Sequence, residues 1–415
     1  MSINGSVKST KRAIERVFFM KKAGVLLLAL GAFVAGAAEL IVGGVLKPIA
    51  DDLGVSIALA GQLITAFSLA FAMGTPFIVA LTSRIGRKTL LIYSLAVFAL
   101  GNLITFLSSE LDMILISRAV VGLASGVFTV VAISSAAKLA VPSQVGGAVG
   151  TVVLGVSVSM VIGIPLGIAL ADWWSWRVIF AGLAVLAMSV MLLIVKFFPA
   201  VDGDDRIPFA RQFAVLKSPA LATGFVFSFF FSMSSSTMNS YVTPYLQSIV
   251  RLNTAELGYM MLALGVFSVI GSRAGGAWTD RWGAKRLLLG GLGTLAATLA
   301  LLPSLGAAAI PALAFLLLWM FSMALVIPAT QTYFIQQAPD RSNLVLGLNT
   351  SILHLGVAAG AGIGGVAAEA AASVRYHPWL ASAAAILSLI MAAVSVSRGQ
   401  ATGWAGKKIA APKTH

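Results

Sequence analysis

Apolar runs long enough to cross a membrane follow one another along the whole chain. Each, as a helix, traverses roughly 30 Å of hydrocarbon. Most side chains of such a chain have lipid or other helices as their solvent. Composition agrees: 59% of residues are hydrophobic and 10% are charged, against about 25% charged in a soluble domain. The runs lie at 23–46, 57–82, 89–108, 113–139, 145–171, 177–198, 219–242, 257–278, 286–305, 309–335, 343–370 and 378–398. The expected fold class is an all-α membrane protein with twelve transmembrane helices. The run 23–46 is too long for a secretory leader and reads as the first span.

The formal net charge of +14 would suggest a nucleic-acid partner in a soluble protein. Here the positive charge sits in tails and short loops, which points to topology instead. With both termini inside, one face collects Lys8, Lys11, Arg12, Arg16, Lys21, Lys22, Arg84, Arg87, Lys88, Lys138, Lys196, Arg206, Arg211 and Lys217. Arg281, Lys285, Arg286, Arg341, Arg398, Lys407, Lys408 and Lys413 join them, while the other face keeps only Lys47, Arg177, Arg251 and Arg375. The positive-inside rule then puts the chain in a bacterial cytoplasmic membrane with both termini cytoplasmic and no nucleic acid as partner. Trp173, Trp174, Trp176 and Trp379 fall near the outer span ends and read as interfacial anchors.

The two halves repeat. Pro48 matches Pro244 at an offset of 196 residues, while Gly61 matches Gly258, the Ser83–Gly86 turn matches Asp280–Gly283, and Lys88 matches Lys285, all at 197. Several matches at one offset, in equivalent loops and helices, argue for duplication of a six-helix unit. The expected domains are a six-helix bundle over 1–198, a cytoplasmic linker over 199–218, and a second bundle with its tail over 219–415. Parallel repeats of this kind enclose a central cavity near the membrane midplane.

Cysteine is absent, which removes thiol chemistry and Cys-ligated metal. No histidine set has metal-ligand spacing, so no metal site is expected. No nucleotide-binding loop is present, and the segments outside the spans are too short for an ATPase domain. Neither a cofactor nor an enzymatic activity is expected.

The loop after the second span reads Val79-Ala80-Leu81-Thr82-Ser83-Arg84-Ile85-Gly86-Arg87-Lys88, and its copy reads Gly276-Ala277-Trp278-Thr279-Asp280-Arg281-Trp282-Gly283-Ala284-Lys285-Arg286. Both resemble the Gly-x-Leu-x-Asp-Arg-x-Gly-Arg-Arg/Lys loop of the major facilitator superfamily, with Val79 and Ser83 departing from the pattern in the first copy. The resemblance implies a cytoplasmic latch at Ser83, Arg84, Gly86, Arg87, Asp280, Arg281 and Gly283. With Ser83 replacing Asp, the first copy is expected to latch more weakly or through the serine hydroxyl. Gly155, Gly163, Pro165 and Gly167 in the fifth span resemble the antiporter motif of the drug:proton antiporter branch, in its sugar- and drug-efflux form. Small residues let helices approach closely, and proline removes a backbone donor and bends the helix, so this span is a candidate pivot. The runs Ala38-Glu39-Leu40 and Pro48-Ile49-Ala50-Asp51-Asp52-Leu53-Gly54-Val55-Ser56 resemble the first span and following loop of the same subgroup. Arg118, Gly122 and Gly126 resemble its fourth-span basic motif, with Val121 in place of Gln.

Two charges stand inside expected spans. Glu39 lies roughly 10 Å below the outer end of its helix, and Arg118 roughly 8 Å below the outer end of its own. Ionised groups in a bilayer cost about 2.5 kcal/mol or more and need a partner or a wet cavity. Burial raises a carboxyl pKa and a nearby arginine lowers it. These opposed effects suit a proton-exchanging Glu39 tuned by Arg118; a static structural pair is the alternative. His354 is either a second proton site or a satisfied interior histidine. Arg273 is placed to snorkel to the cytoplasmic face. Asn239, Tyr241, Asn102, Gln331 and Asn349 are the candidate cavity residues. The serines and methionines of the seventh span suit an adaptable pocket, and lipid contact is expected for most of its phenylalanines.

The resemblance implies a monomeric, proton-coupled exporter of a small organic molecule, whether sugar, nucleoside-like metabolite or drug, with protons and the lipid bilayer as its other partners. The alternatives are an uncoupled facilitator or importer of the same fold and, in another class, a non-transporting membrane sensor.

Overall fold

The computed structural model describes residues 3–141, 144–203, 217–305 and 309–401. Among them, twelve helices are long and apolar enough to cross a membrane. Spans 1 to 6 are Ala23–Gly44, Ile57–Leu81, Arg87–Leu107, Leu111–Leu139, Val145–Trp173 and Trp176–Phe197. Spans 7 to 12 are Pro219–Asn239, Thr254–Trp282, Ala284–Leu305, Ala309–Gln337, Leu344–Ala371 and His377–Gly399. The ends agree with hydropathy to within a few residues, because the length of the apolar run sets the length of the helix. The helix of span 1 begins earlier, at Ile3. Its basic lead-in contains no proline, and lysine and arginine are good helix formers. Of the 199–218 linker, residues 204–216 lie outside the described set.

The helices form two compact units: residues 3–203 with Ser240–Gly265, and residues 217–239 with 266–401. In the first unit, spans 1 and 5 pack closely. A Cβ on Gly155 would collide with the carbonyl of Ala29, one on Gly36 with Ser159, and one on Gly167 with Ile41. Between these contacts span 5 widens into a π turn at Ser159–Gly163, immediately before Ile164 and Pro165. Proline offers no amide hydrogen to the preceding turn, and a π turn accommodates that gap.

In the second unit, span 7 is a core helix. Ser232 Oγ donates to Leu353 O at 2.6 Å and Ser236 Oγ to Val357 O at 2.8 Å, one helical turn apart on span 11. Gly356 and Gly360 let the two backbones approach, the small-residue and hydroxyl packing favoured in membranes. These serines therefore knit helices together rather than line a pocket. The phenylalanines also depart from expectation. Phe225 and Phe227 are buried and stack on Phe334 with centroids 5.2 and 5.7 Å apart, and Phe231 is buried too. Lipid contact fails for them because span 7 packs against spans 10, 11 and 12.

One outer-face assignment also changes. Trp173, Trp174 and Trp379 are exposed, as anchors should be, but Trp176 is buried at 3% exposure. Its indole donates to Asp52 Oδ2 at 3.1 Å, and the Arg177 guanidinium pairs with the same carboxylate while lying 4.4 Å from the Trp176 ring. Arg177 also donates to Ser108 O at 3.4 Å, so its guanidinium ties the start of span 6 both to Asp52 in the helix Leu46–Leu53 and to the end of span 3. His377 stands just ahead of the expected twelfth span, 378–398. It begins span 12, buried, with Nδ1 3.1 Å from Val374 O and Nε2 2.9 Å from Gly364 O.

Candidate functional site

Arg118 is the centre of the first unit's polar interior. Its side chain is fully buried. Nη2 donates to Ala38 O at 2.7 Å, the carbonyl of the peptide that leads into Glu39. The guanidinium carbon lies 4.8 Å from the ring centre of Phe67 in span 2 and 5.7 Å from that of Phe180 in span 6. Aromatic faces stabilise a cation where water is excluded. Nε and Nη1 have no hydrogen-bond partner among the described residues. Glu39, half-buried, is the carboxylate whose charge acts on this guanidinium. Span 4 is seated tightly enough to hold Arg118 in place, since a Cβ on Gly122 would collide with Phe67 O.

The structure thus brings Glu39 and Arg118 together, with two phenylalanines that sequence reasoning did not single out. Their signal was available only from the fold, because isolated phenylalanines in apolar runs look alike. The helix that carries Glu39 is also the one seated on the Gly155–Gly167 segment of span 5.

The other candidates are more dispersed. Asn102 is buried in span 3, with Nδ2 on Phe98 O at 2.8 Å and Oδ1 without a hydrogen-bond partner. Tyr241 is fully buried in the first unit, its hydroxyl filling the space that the missing side chain of Gly61 leaves. His354, Asn349, Asn239 and Gln331 belong to the second unit. His354 is half-buried with Nδ1 2.9 Å from Thr350 O, Asn349 is buried with Oδ1 unpartnered, Asn239 is half-buried at the end of span 7, and Gln331 is exposed.

The latch loops differ. Arg87 is buried, and its amide donates to Val201 O at 2.8 Å. Lys88 Nζ donates to Phe198 O at 2.8 Å. The segment 198–203 therefore lies over the first loop. The Ser83 hydroxyl makes no hydrogen bond among the described residues, so the seal runs through backbone and lysine rather than through that serine. Arg84, Asp280, Arg281, Trp282 and Gly283 are exposed, and so is Arg273.

The family model of the Major Facilitator Superfamily matches residues 28–271 and 224–413. The chain belongs to this superfamily. It is 34% identical over 366 residues to the uncharacterized MFS-type transporter YbcL of Bacillus subtilis, covering 88% of this chain and 94% of that protein. It is 33% identical over 268 residues to the putative transporter AraJ of Escherichia coli, covering 65% and 68% of the two chains. With the inner membrane transport protein YdhP of Escherichia coli it shares 27% over 374 residues, 90% of this chain and 96% of that one. A crystal structure of a bacterial homolog of the human lysosomal transporter Spinster, in an inward-facing and unoccupied conformation, superposes with a TM-score of 0.71 at 15% identity. That match covers 92% of this chain and 97% of the other, and bears on the fold. Membership of the superfamily makes the chain a multi-pass membrane transporter and not an enzyme.

Proposed function

We propose that this superfamily member is a proton-coupled exporter of a small organic molecule, acting as a monomer in the bacterial cytoplasmic membrane with both termini inside. One observation carries the reading: a fully buried guanidinium with two unpartnered donors stands beside a half-buried carboxyl. A buried cation is tolerated while an anion faces it. Proton uptake by Glu39 removes that anion and makes the arrangement around Arg118 less favourable. Because Glu39 and the Ala38 carbonyl share the helix seated on the π turn of span 5, the response to protonation is movement of span 1 against span 5. A proton taken up from outside and released inside then exchanges for substrate leaving the cytoplasm. The efflux-type motif of span 5 supports this direction. Asn239, Asn102, Gln331 and Asn349 are proposed contributors to the substrate path, and His354 is the next candidate proton site.

The test uses proteoliposomes carrying a lumenal pH dye, challenged with sugars, nucleosides and cationic drugs. Substrate-dependent proton flux is expected with one class and is expected to vanish in Glu39→Gln, while substrate-for-substrate exchange persists in that variant. Uphill transport undiminished in Glu39→Gln sinks the role of Glu39. Equilibration of labelled substrate with no proton movement in the wild type identifies a facilitator instead.

A further inference from the structure

A groove of about 390 Å³ opens in the second unit between spans 8, 9 and 10. Trp278 and Trp282 form one wall, with ring centres 5.1 Å apart, and Leu318 and Phe321 form another. Its floor is span 9, where the side chain missing at Gly290 would meet nothing within 4 Å. The hydroxyls on its walls are already committed. Thr294 Oγ1 donates to Gly290 O at 3.0 Å and Ser322 Oγ to Leu318 O at 2.8 Å. The interior therefore suits hydrocarbon better than a polar solute. From Arg286 at one end to Thr294 on the same helix the groove runs roughly 12 Å at 1.5 Å per residue.

Charge marks the mouth. Arg286 lines the groove, is exposed, and has no ion pair or hydrogen bond among the described residues. Arg281 at the end of span 8 and Lys285 at the start of span 9 flank it, with Asp280 as the neighbouring acid. We infer that the groove is a binding site for one anionic glycerophospholipid. An acyl chain lies along Gly290, and the phosphate meets the Arg286 guanidinium. Arginine suits phosphate because its planar donors match the oxygens, and paired tryptophans suit the boundary between headgroup and chain. The chain's own tail is a poor occupant, since it carries Lys407, Lys408 and Lys413 and the chain has no acid after Glu369. A second copy would bring Arg286 towards another basic loop.

Native mass spectrometry of the full chain in detergent tests this, with dioleoyl phosphatidylglycerol or dioleoyl phosphatidylcholine titrated in. The first phosphatidylglycerol adduct is expected at about fivefold the occupancy of phosphatidylcholine, the selectivity of one basic residue near a lipid surface. Arg286→Gln is expected to remove that preference and Arg286→Lys to keep most of it. Gly290→Leu, which fills the groove from a position with open space, is expected to reduce both adducts. The site is refuted if the two lipids bind equally to the wild type, if Arg286→Gln leaves the preference intact, or if Gly290→Leu leaves the phosphatidylglycerol adduct unchanged. It is equally refuted if a protein dimer forms in place of the lipid adduct and is lost in Gly290→Leu. Arg286 is a surface residue, so its variants report on the headgroup even where the glycine variant is unstable.

Discussion

The loops that follow spans 2 and 8 descend from one pattern, yet they stand in different conditions. The first lies beneath the segment 198–203: Arg87 and Lys88 reach the carbonyls of Val201 and Phe198, and Lys138 Nζ donates to Asp202 O at 3.0 Å. The second has no such cover among the described residues, and its exposed Trp282 and Arg286 border an apolar groove. The backbone differs as well. Gly86 sits at φ −52°, ψ 137°, a conformation open to any residue, whereas Gly283 sits at φ 85°, ψ 145°, open in practice to glycine alone. The two turns share their Arg and Gly positions but not their surroundings. The first anchors a connecting segment; the second presents basic charge beside a hydrophobic slot.

The largest expected difference between the copies is conformational. Gly283→Ala forces a Cβ into a sparsely allowed backbone region, a cost of about 1–3 kcal/mol. Gly86→Ala keeps an allowed φ and places its Cβ 3.7 Å from Val201 O, an ordinary contact. Thermal unfolding in detergent should therefore show a clear loss of Tm for Gly283→Ala and almost none for Gly86→Ala. Equal losses would mean that the two turns are alike in solution and would remove the structural basis of the comparison.

Accessibility comes next. The chain has no cysteine, so a single introduced thiol reports its own position. Ser83 is 8% exposed, whereas its counterpart Asp280 is open. Asp280→Cys should react with a water-soluble maleimide about tenfold faster than Ser83→Cys, a ratio set by a local opening of the cover. A Cβ on Gly203 would lie 2.5 Å from Ser83 O. Adding Gly203→Ala to Ser83→Cys should therefore lift the segment and erase most of the difference. Labelling that Gly203→Ala leaves unchanged would show that something other than 198–203 protects Ser83.

Much of this molecule was legible in its sequence, and what was not shares a cause. Span ends follow from the length of apolar runs. Glu39 and Arg118 stood out because a charge in a membrane interior is costly whatever surrounds it, and counting residues along each helix put them at similar depth. The faces of the helices were harder to read. Among helices apolar on most sides, periodicity does not separate core from lipid, so Phe225 and Phe227 read like lipid-facing residues. Trp176 read like its neighbours Trp173 and Trp174 because Asp52, the carboxylate that draws it inward, is remote in sequence. Contacts made by backbone carbonyls leave no signature in residue identity. Ala38 O under Arg118, Leu353 O under Ser232 and Val201 O over the first loop all belong to that class.

The smallest expected effect separates Lys88 and Lys285, the two lysines at equivalent positions of the two loops. Lys88 gives a hydrogen bond to Phe198 O and is half-buried. Lys285, also half-buried, has no hydrogen bond or ion pair among the described residues. A charged donor on a carbonyl contributes about 1.5 kcal/mol when water is excluded and less where, as here, water reaches part of the side chain. Lys88→Met should therefore destabilise the chain by about 1 kcal/mol, and Lys285→Met should stay within about 0.5 kcal/mol of wild type. The methionines keep most of the side-chain length, so the comparison isolates the ammonium group. If the two variants unfold together, the carbonyl of Phe198 is not held by Lys88, and the cover over the first loop rests on other contacts, the Arg87 amide and Lys138 among them.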